Sequence, residues 1–129
     1  MAKNPIRWFE IYVQDMKRAK SFYESVFNLK LEQITNPATL ETPSMELWGF
    51  PADMDAYGAS GALAKMEGAF SGAVGTIVYF ASDDCAIEEA RVQKFGGRIQ
   101  KSKTSIGEYG FITLAVDTEG NIFGIHSMK

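Results

Sequence analysis

Hydrophobic and polar positions along the chain follow two periods, and the changes from one to the other mark the elements. From Arg7 to Val13 the period is two: Phe9, Ile11 and Val13 fall on one face of a strand, and Trp8, Glu10 and Tyr12 on the other. After Asp15 the spacing turns helical, with Ala19, Phe22, Tyr23, Val26 and Phe27 recurring along one stripe. Asp15 is suited to cap that helix, because its carboxylate can accept an N–H of the first turn, and the Asn28 region ends it. Short strands are predicted at Leu31–Ile34, Met45–Phe50 and Ser60–Met66. Asn36-Pro37 breaks the pattern, and residues 51–58 form a loop able to cover a pocket.

The same order then repeats. Thr76–Phe80 reads as a strand, and Asp83 or Asp84 caps a helix carrying Ile87, Ala90, Arg91, Lys94 and Phe95. Gly96-Gly97 stops it, since glycine accepts the left-handed backbone that a C-cap requires. Strands follow at Arg98–Lys103, Phe111–Val116 and Ile122–Ser127, the last two joined by the turn residues Asp117 to Asn121. Tyr12 aligns with Tyr79, Asp15 with Asp84 and Phe27 with Phe95. The expectation is one α+β domain spanning 1–129. It has a βαβββ module at about 4–67, a linker at about 68–74 and a second module at about 75–128.

Length and charge narrow the function classes. At 129 residues one core is expected, burying about two-thirds of the unfolded surface without staples. A net charge of -3, with lysines and arginines dispersed, gives no footprint for nucleic acid. The densest basic group, Lys17, Arg18 and Lys20, reads as a solvated helix face. Cys85 is the single cysteine, so no intrachain disulfide can form, and it reads as a small packing residue. No leader-like opening and no membrane-spanning apolar run is apparent, which makes a cytoplasmic location the expectation. No nucleophile elbow, phosphate loop or paired-cysteine zinc motif occurs either.

The stretch from Phe9 to Tyr23 resembles the opening of the glyoxalase/bleomycin-resistance/extradiol-dioxygenase (vicinal oxygen chelate) superfamily. Gly61-Ala62-Leu63, Phe95-Gly96-Gly97 and Ile106 to Phe111 running on to Asp117–Asn121 resemble it too, in the expected order. The resemblance is to a glyoxalase-like group within it. It implies two βαβββ modules forming a curved mixed sheet around a central cavity, with helices outside. It also implies a homodimer and, in metal-dependent members, a divalent ion between the halves that chelates vicinal oxygens as a Lewis acid. The family's ligand positions correspond here to Trp8, Ile77 and Gly124, each seven residues from Asp15, Asp84 and Asp117 respectively, and the strand Ser60–Met66 offers no ligand. Indole, alkyl and hydrogen cannot bind such a metal. The usual site is therefore expected to be absent, with no cofactor. A displaced divalent-metal site of Glu10, Glu46 and His126 is the alternative.

Glu10 and His126 are the candidate catalytic residues. A carboxylate among aromatic rings is a candidate proton carrier, and imidazole titrates near neutrality. The structural alternative is a cross-strand hydrogen bond for Glu10 and terminal-strand packing for His126. Trp8, Tyr12, Trp48 and Tyr79 are expected to line the cavity, with Tyr109 presented at its mouth by flanking glycines. Core filling is their alternative role. The function expected is binding of a small, partly apolar molecule, either to sequester it or in a lyase- or isomerase-type step. A metal-dependent glyoxalase- or dioxygenase-like enzyme and a non-catalytic homodimerisation domain are the other readings. Neither a nucleic acid nor a membrane is an expected partner.

Overall fold

A computed structural model describes residues 4–34, 45–53 and 55–129. The predicted break at Asn36-Pro37 lies outside these residues, as does Met54 of the 51–58 loop. The chain divides into two compact units, one of residues 8–76 and one of residues 77–129 together with the described N-terminal residues 4–7. Those first residues join the second unit because the Ala81 N–H donates to the Pro5 carbonyl at 2.9 Å.

In the first unit, β1 (Ile6–Tyr12) leads into helix α1 (Met16–Phe27), and β2 (Glu32–Gln33), β3 (Glu46–Gly49) and β4 (Ser60–Lys65) follow. The strand order is β2-β3-β4-β1, with β4 parallel to β1 and the other pairs antiparallel. Asp15 caps α1 by accepting from the Arg18 N–H, and Asn28 ends it in the left-handed region at φ 52°. Asparagine tolerates that conformation better than most residues.

The helix covers one face of this sheet. Met16, Leu31 and Leu63 form the buried centre, packed by Ile11, Val13, Ala19, Tyr23, Leu29, Trp48 and Phe50. Trp48 is opposite Leu63 on β4, and Leu63 is opposite Ile11 on β1, so all three project to the helix side. The other face carries Trp8, Glu10 and Tyr12, with Ala62 opposite Glu10 and Ala64 opposite Tyr12. Both alanines are fully buried.

The second unit repeats the plan. Its strands β5 (Thr76–Ala81), β6 (Arg98–Ser105), β7 (Phe111–Val116) and β8 (Ile122–Ser127) are ordered β5-β8-β7-β6, again with one parallel pair, β5 and β8. Helix α2 (Cys85–Val92) is shorter than expected: a 3-10 turn over Gln93–Phe95 continues it, and Gly96 at φ 101° stops it. Of the two candidate caps it is Asp84 that accepts the Ala86 N–H. Cys85 is fully buried at the start of α2, and its N–H donates to the Ser127 hydroxyl. Glu89 of α2 accepts from the buried Thr113 hydroxyl at 2.7 Å, tying the helix to β7. The turn between β7 and β8 is built on Asp117, whose carboxylate accepts from the backbone of Glu119 and Asn121 and from the Asn121 amide.

Candidate functional site

The faces turned away from the helices hold Trp8, Glu10 and Tyr12 in the first unit and Tyr79 and His126 in the second. On β1, Glu10 is 7% exposed and central to a hydrogen-bonded group. The Tyr12 hydroxyl donates to one carboxylate oxygen at 2.9 Å, and the Trp8 Nε1–H donates to the other at 3.3 Å. All three side chains point the same way because they are two residues apart on one strand. Burial, and secondarily the negative charge of Glu10, push the Tyr12 phenol well above its ordinary range, so its hydroxyl stays protonated and remains a donor.

On the corresponding face of the second unit, Tyr79 is buried and opposite Gly124, and Ala81 is opposite His126. A Cβ at Gly124 would run into the Tyr79 ring, so the ring occupies the space in which a side chain at position 124 would project. His126 is half-buried. Its Nε2 is 2.6 Å from the Tyr109 carbonyl, which can only accept, so Nε2 carries the hydrogen. Its Nδ1 is buried and finds no hydrogen-bond partner among the described residues. Burial lowers the imidazole's proton affinity, the Tyr109 bond partly offsets this, and the positive Arg7 adds to the lowering. It is the backbone carbonyl of Tyr109 that meets His126, while the residue itself, 43% exposed, ends a 3-10 turn over Gly107–Tyr109.

Two expectations need correction. Trp48 does not join Trp8 and Tyr12: its register against Leu63 sends it to the helix side, where Leu47 would have been the residue facing the other way. Glu46 shares that strand face, and its carboxylate accepts from the Trp48 Nε1–H at 2.7 Å. Glu46 is therefore on the opposite side of the sheet from Glu10, and the displaced trio Glu10, Glu46 and His126 is not assembled. The ordinary ligand positions fare no better. Trp8 uses its only polar atom on Glu10, Ile77 is a buried alkyl group, and Gly124 underlies Tyr79. Within either unit, no three His, Cys, Asp or Glu among the described residues stand together as a metal cradle. These residues do not fit the divalent ion of the metal-dependent relatives.

The duplicated βαβββ plan defines the structural class: an α+β protein of paired modules. The family follows from the sequence itself. Residues 6–125 match the model of the Glyoxalase/Bleomycin resistance protein/Dioxygenase superfamily, and the chain belongs to it. Among solved structures, methylmalonyl-CoA epimerase from Streptomyces coelicolor, in complex with 2-nitronate-propionyl-CoA, is 15% identical with a TM-score of 0.67, covering 96% of each chain. A hypothetical protein from Bacillus halodurans is 12% identical with a TM-score of 0.70, covering 96% of this chain and 94% of that one. Methylmalonyl-CoA epimerase from Mycobacterium tuberculosis is 13% identical with a TM-score of 0.68, covering 97% and 88%. At such identities the likeness extends to the fold alone. No curated protein sequence matches the chain. No helix among the described residues is long and apolar enough to cross a membrane.

Proposed function

We propose that this chain binds a small, partly apolar molecule against the helix-free face of its first unit, with Glu10 accepting a hydrogen bond or a proton from it. The observation that carries the reading is the Trp8–Glu10–Tyr12 group. Two aromatic side chains turn their polar tips onto one buried carboxylate, with the Tyr12 ring buried and the Trp8 ring half-buried beside it as apolar wall. Ala62 and Ala64, opposite Glu10 and Tyr12 on the neighbouring strand, are fully buried and add only methyl groups to this face. Tyr79 and His126 are the matching candidates of the second unit, as apolar wall and as hydrogen-bonding imidazole.

The same carboxylate serves two activities. Held in place, it can anchor a ligand for sequestration. Offered an acidic C–H, it can take the proton, and returning it to the other face or to a neighbouring carbon completes an isomerase-type step. A lyase-type step would instead expel a leaving group from the adjacent carbon, and that group takes up the proton. The fold's likeness to methylmalonyl-CoA epimerases favours the second activity, since inverting a carbon centre requires a proton to leave and come back. Tyr12 orients the carboxylate in either case.

The test is exchange of substrate C–H for deuterium in heavy water, with methylmalonyl-CoA and simpler 2-substituted acyl thioesters as probes. Wild-type protein should catalyse exchange, and Glu10→Gln should slow it by about 100-fold or more while leaving the folded spectrum intact. Equal exchange by both proteins removes Glu10 from the mechanism. With no exchange by either, the catalytic arm fails, and binding must then appear as a shift of the Trp8 indole N–H resonance for sequestration to stand.

A further inference from the structure

On the opposite side of the first unit, between α1 and β3, lies a groove of about 680 Å³, within the size range of small-molecule sites. Its floor is the half-buried ring of Trp48, and Lys17, Lys20 and Lys30 stand around it with the hydroxyls of Ser21 and Ser25. Two carboxylates also line it, and both are engaged. Glu24 accepts the Leu31 N–H at 2.8 Å, and Glu46 accepts the Trp48 indole N–H at 2.7 Å. None of the three ammonium groups has a carboxylate partner among the described residues. Lys20 instead lies over the indole, its Nζ 3.4 Å from the ring centre.

That arrangement departs from the solvated helix face that the sequence suggested. Lys20 is half-buried against an aromatic ring, and the cation–π contact is the interaction it makes in default of an anion. The three cations outnumber the two hydrogen-bonded carboxylates, and together with the hydroxyl donors and a flat π surface they are complementary to one ligand chemistry. We propose that this groove is a second binding site, for a flat aromatic ring carrying an anionic group. The ring stacks on Trp48 in the place of Lys20, and the released ammonium joins Lys17 and Lys30 in meeting the anion. The site is independent of Glu10, which projects from the other face of the sheet.

The carboxylate and phosphate forms of this chemistry are distinguished by titrating the intact chain with 2-naphthoate and with adenosine monophosphate. The readouts are calorimetry and the Trp48 indole N–H resonance, assigned by its loss in Trp48→Phe. At least one probe should bind and shift that resonance. Its neutral counterpart, 2-naphthalenemethanol or adenosine, should bind at least about tenfold more weakly, and rising salt should weaken the anion. Lys17 and Lys30 are exposed, so Lys17→Gln and Lys30→Gln should fold normally, each weakening binding about two- to fivefold. Glu10→Gln should leave the affinity unchanged, which separates this site from the one proposed above. Binding of neither anion, equal binding of the neutral compounds, or affinity indifferent to both lysine substitutions overturns the proposal.

Discussion

At the residue scale, two positions show how a single side chain fixes what the helix-free faces can do. Gly124 falls at a position where the family resemblance implies a metal ligand, and here it leaves room for an aromatic ring. The Tyr79 ring lies where a Cβ would be, and Tyr79 is 5% exposed. Gly124→Ala should therefore destabilise the protein by about 1–3 kcal/mol, the cost of forcing bulk into a packed site. Glycine's backbone freedom is not the reason, because Gly124 is absent from the positive-φ residues. Urea denaturation of Gly124→Ala, Tyr79→Ala and the double variant checks this. The alanine at 124 should cost clearly less once the ring is gone, and equal costs in both backgrounds would show that the ring is not the obstacle. Trp8 makes the complementary point. Where a metal ligand would be expected it presents an N–H donor, and that donor serves Glu10.

At the scale of elements, the helix termini were the most readable features because a single side chain governs each. Asp15 and Asp84 cap as expected, and Asn28 and Gly96 stop the chain in left-handed geometry. Asp15→Ala should cost about 1 kcal/mol, while Asp15→Asn, which keeps an acceptor for the Arg18 N–H, should cost a fraction of that in thermal unfolding. Equal losses would show that the hydrogen bond to Arg18 is not what stabilises α1. The faces of β1 were readable for a different reason. Phe9, Ile11 and Val13 alternate with Trp8, Glu10 and Tyr12, and the following helix must cover the apolar set. Strand β3 offered no such guide. Alternation puts Glu46 and Trp48 together, but four residues with apolar side chains on both faces do not say which face meets the helix. Only the long-range pairing of Trp48 with Leu63 decides it. The sequence thus identified Glu10, Trp8 and Tyr12 as one group and misplaced Trp48 and Glu46. It also missed the groove around Lys20, whose signal is a lysine brought against an indole 28 residues away.

For the molecule as a whole, the titrating groups define two separate acid limbs of stability. His126 is the chain's only histidine, and its folded pKa lies below its ordinary 6.5, chiefly through burial. An unfolded chain therefore takes up a proton near pH 6.5 that the folded protein refuses, and in that interval the unfolded state binds more protons. Stability is full above 6.5, declines as pH falls towards the folded value, and levels off once both states are protonated. Asp84, held down by its Lys103 ion pair and the Ala86 N–H, and Asp117, held down by the Asn121 contacts, act lower. Their contribution is present above their ordinary 3.8 and is lost as pH falls through their depressed folded values. His126→Gln, which cannot take up the proton, should remove the upper limb and leave the lower one in place. Urea midpoints measured from neutral pH down to the acid limit separate the two. An upper limb unchanged in His126→Gln would mean that protonation elsewhere destabilises the fold. Its disappearance would show that the folded protein keeps this imidazole neutral, with Nδ1 able to accept rather than donate, the state in which it could orient a ligand's hydroxyl or amide.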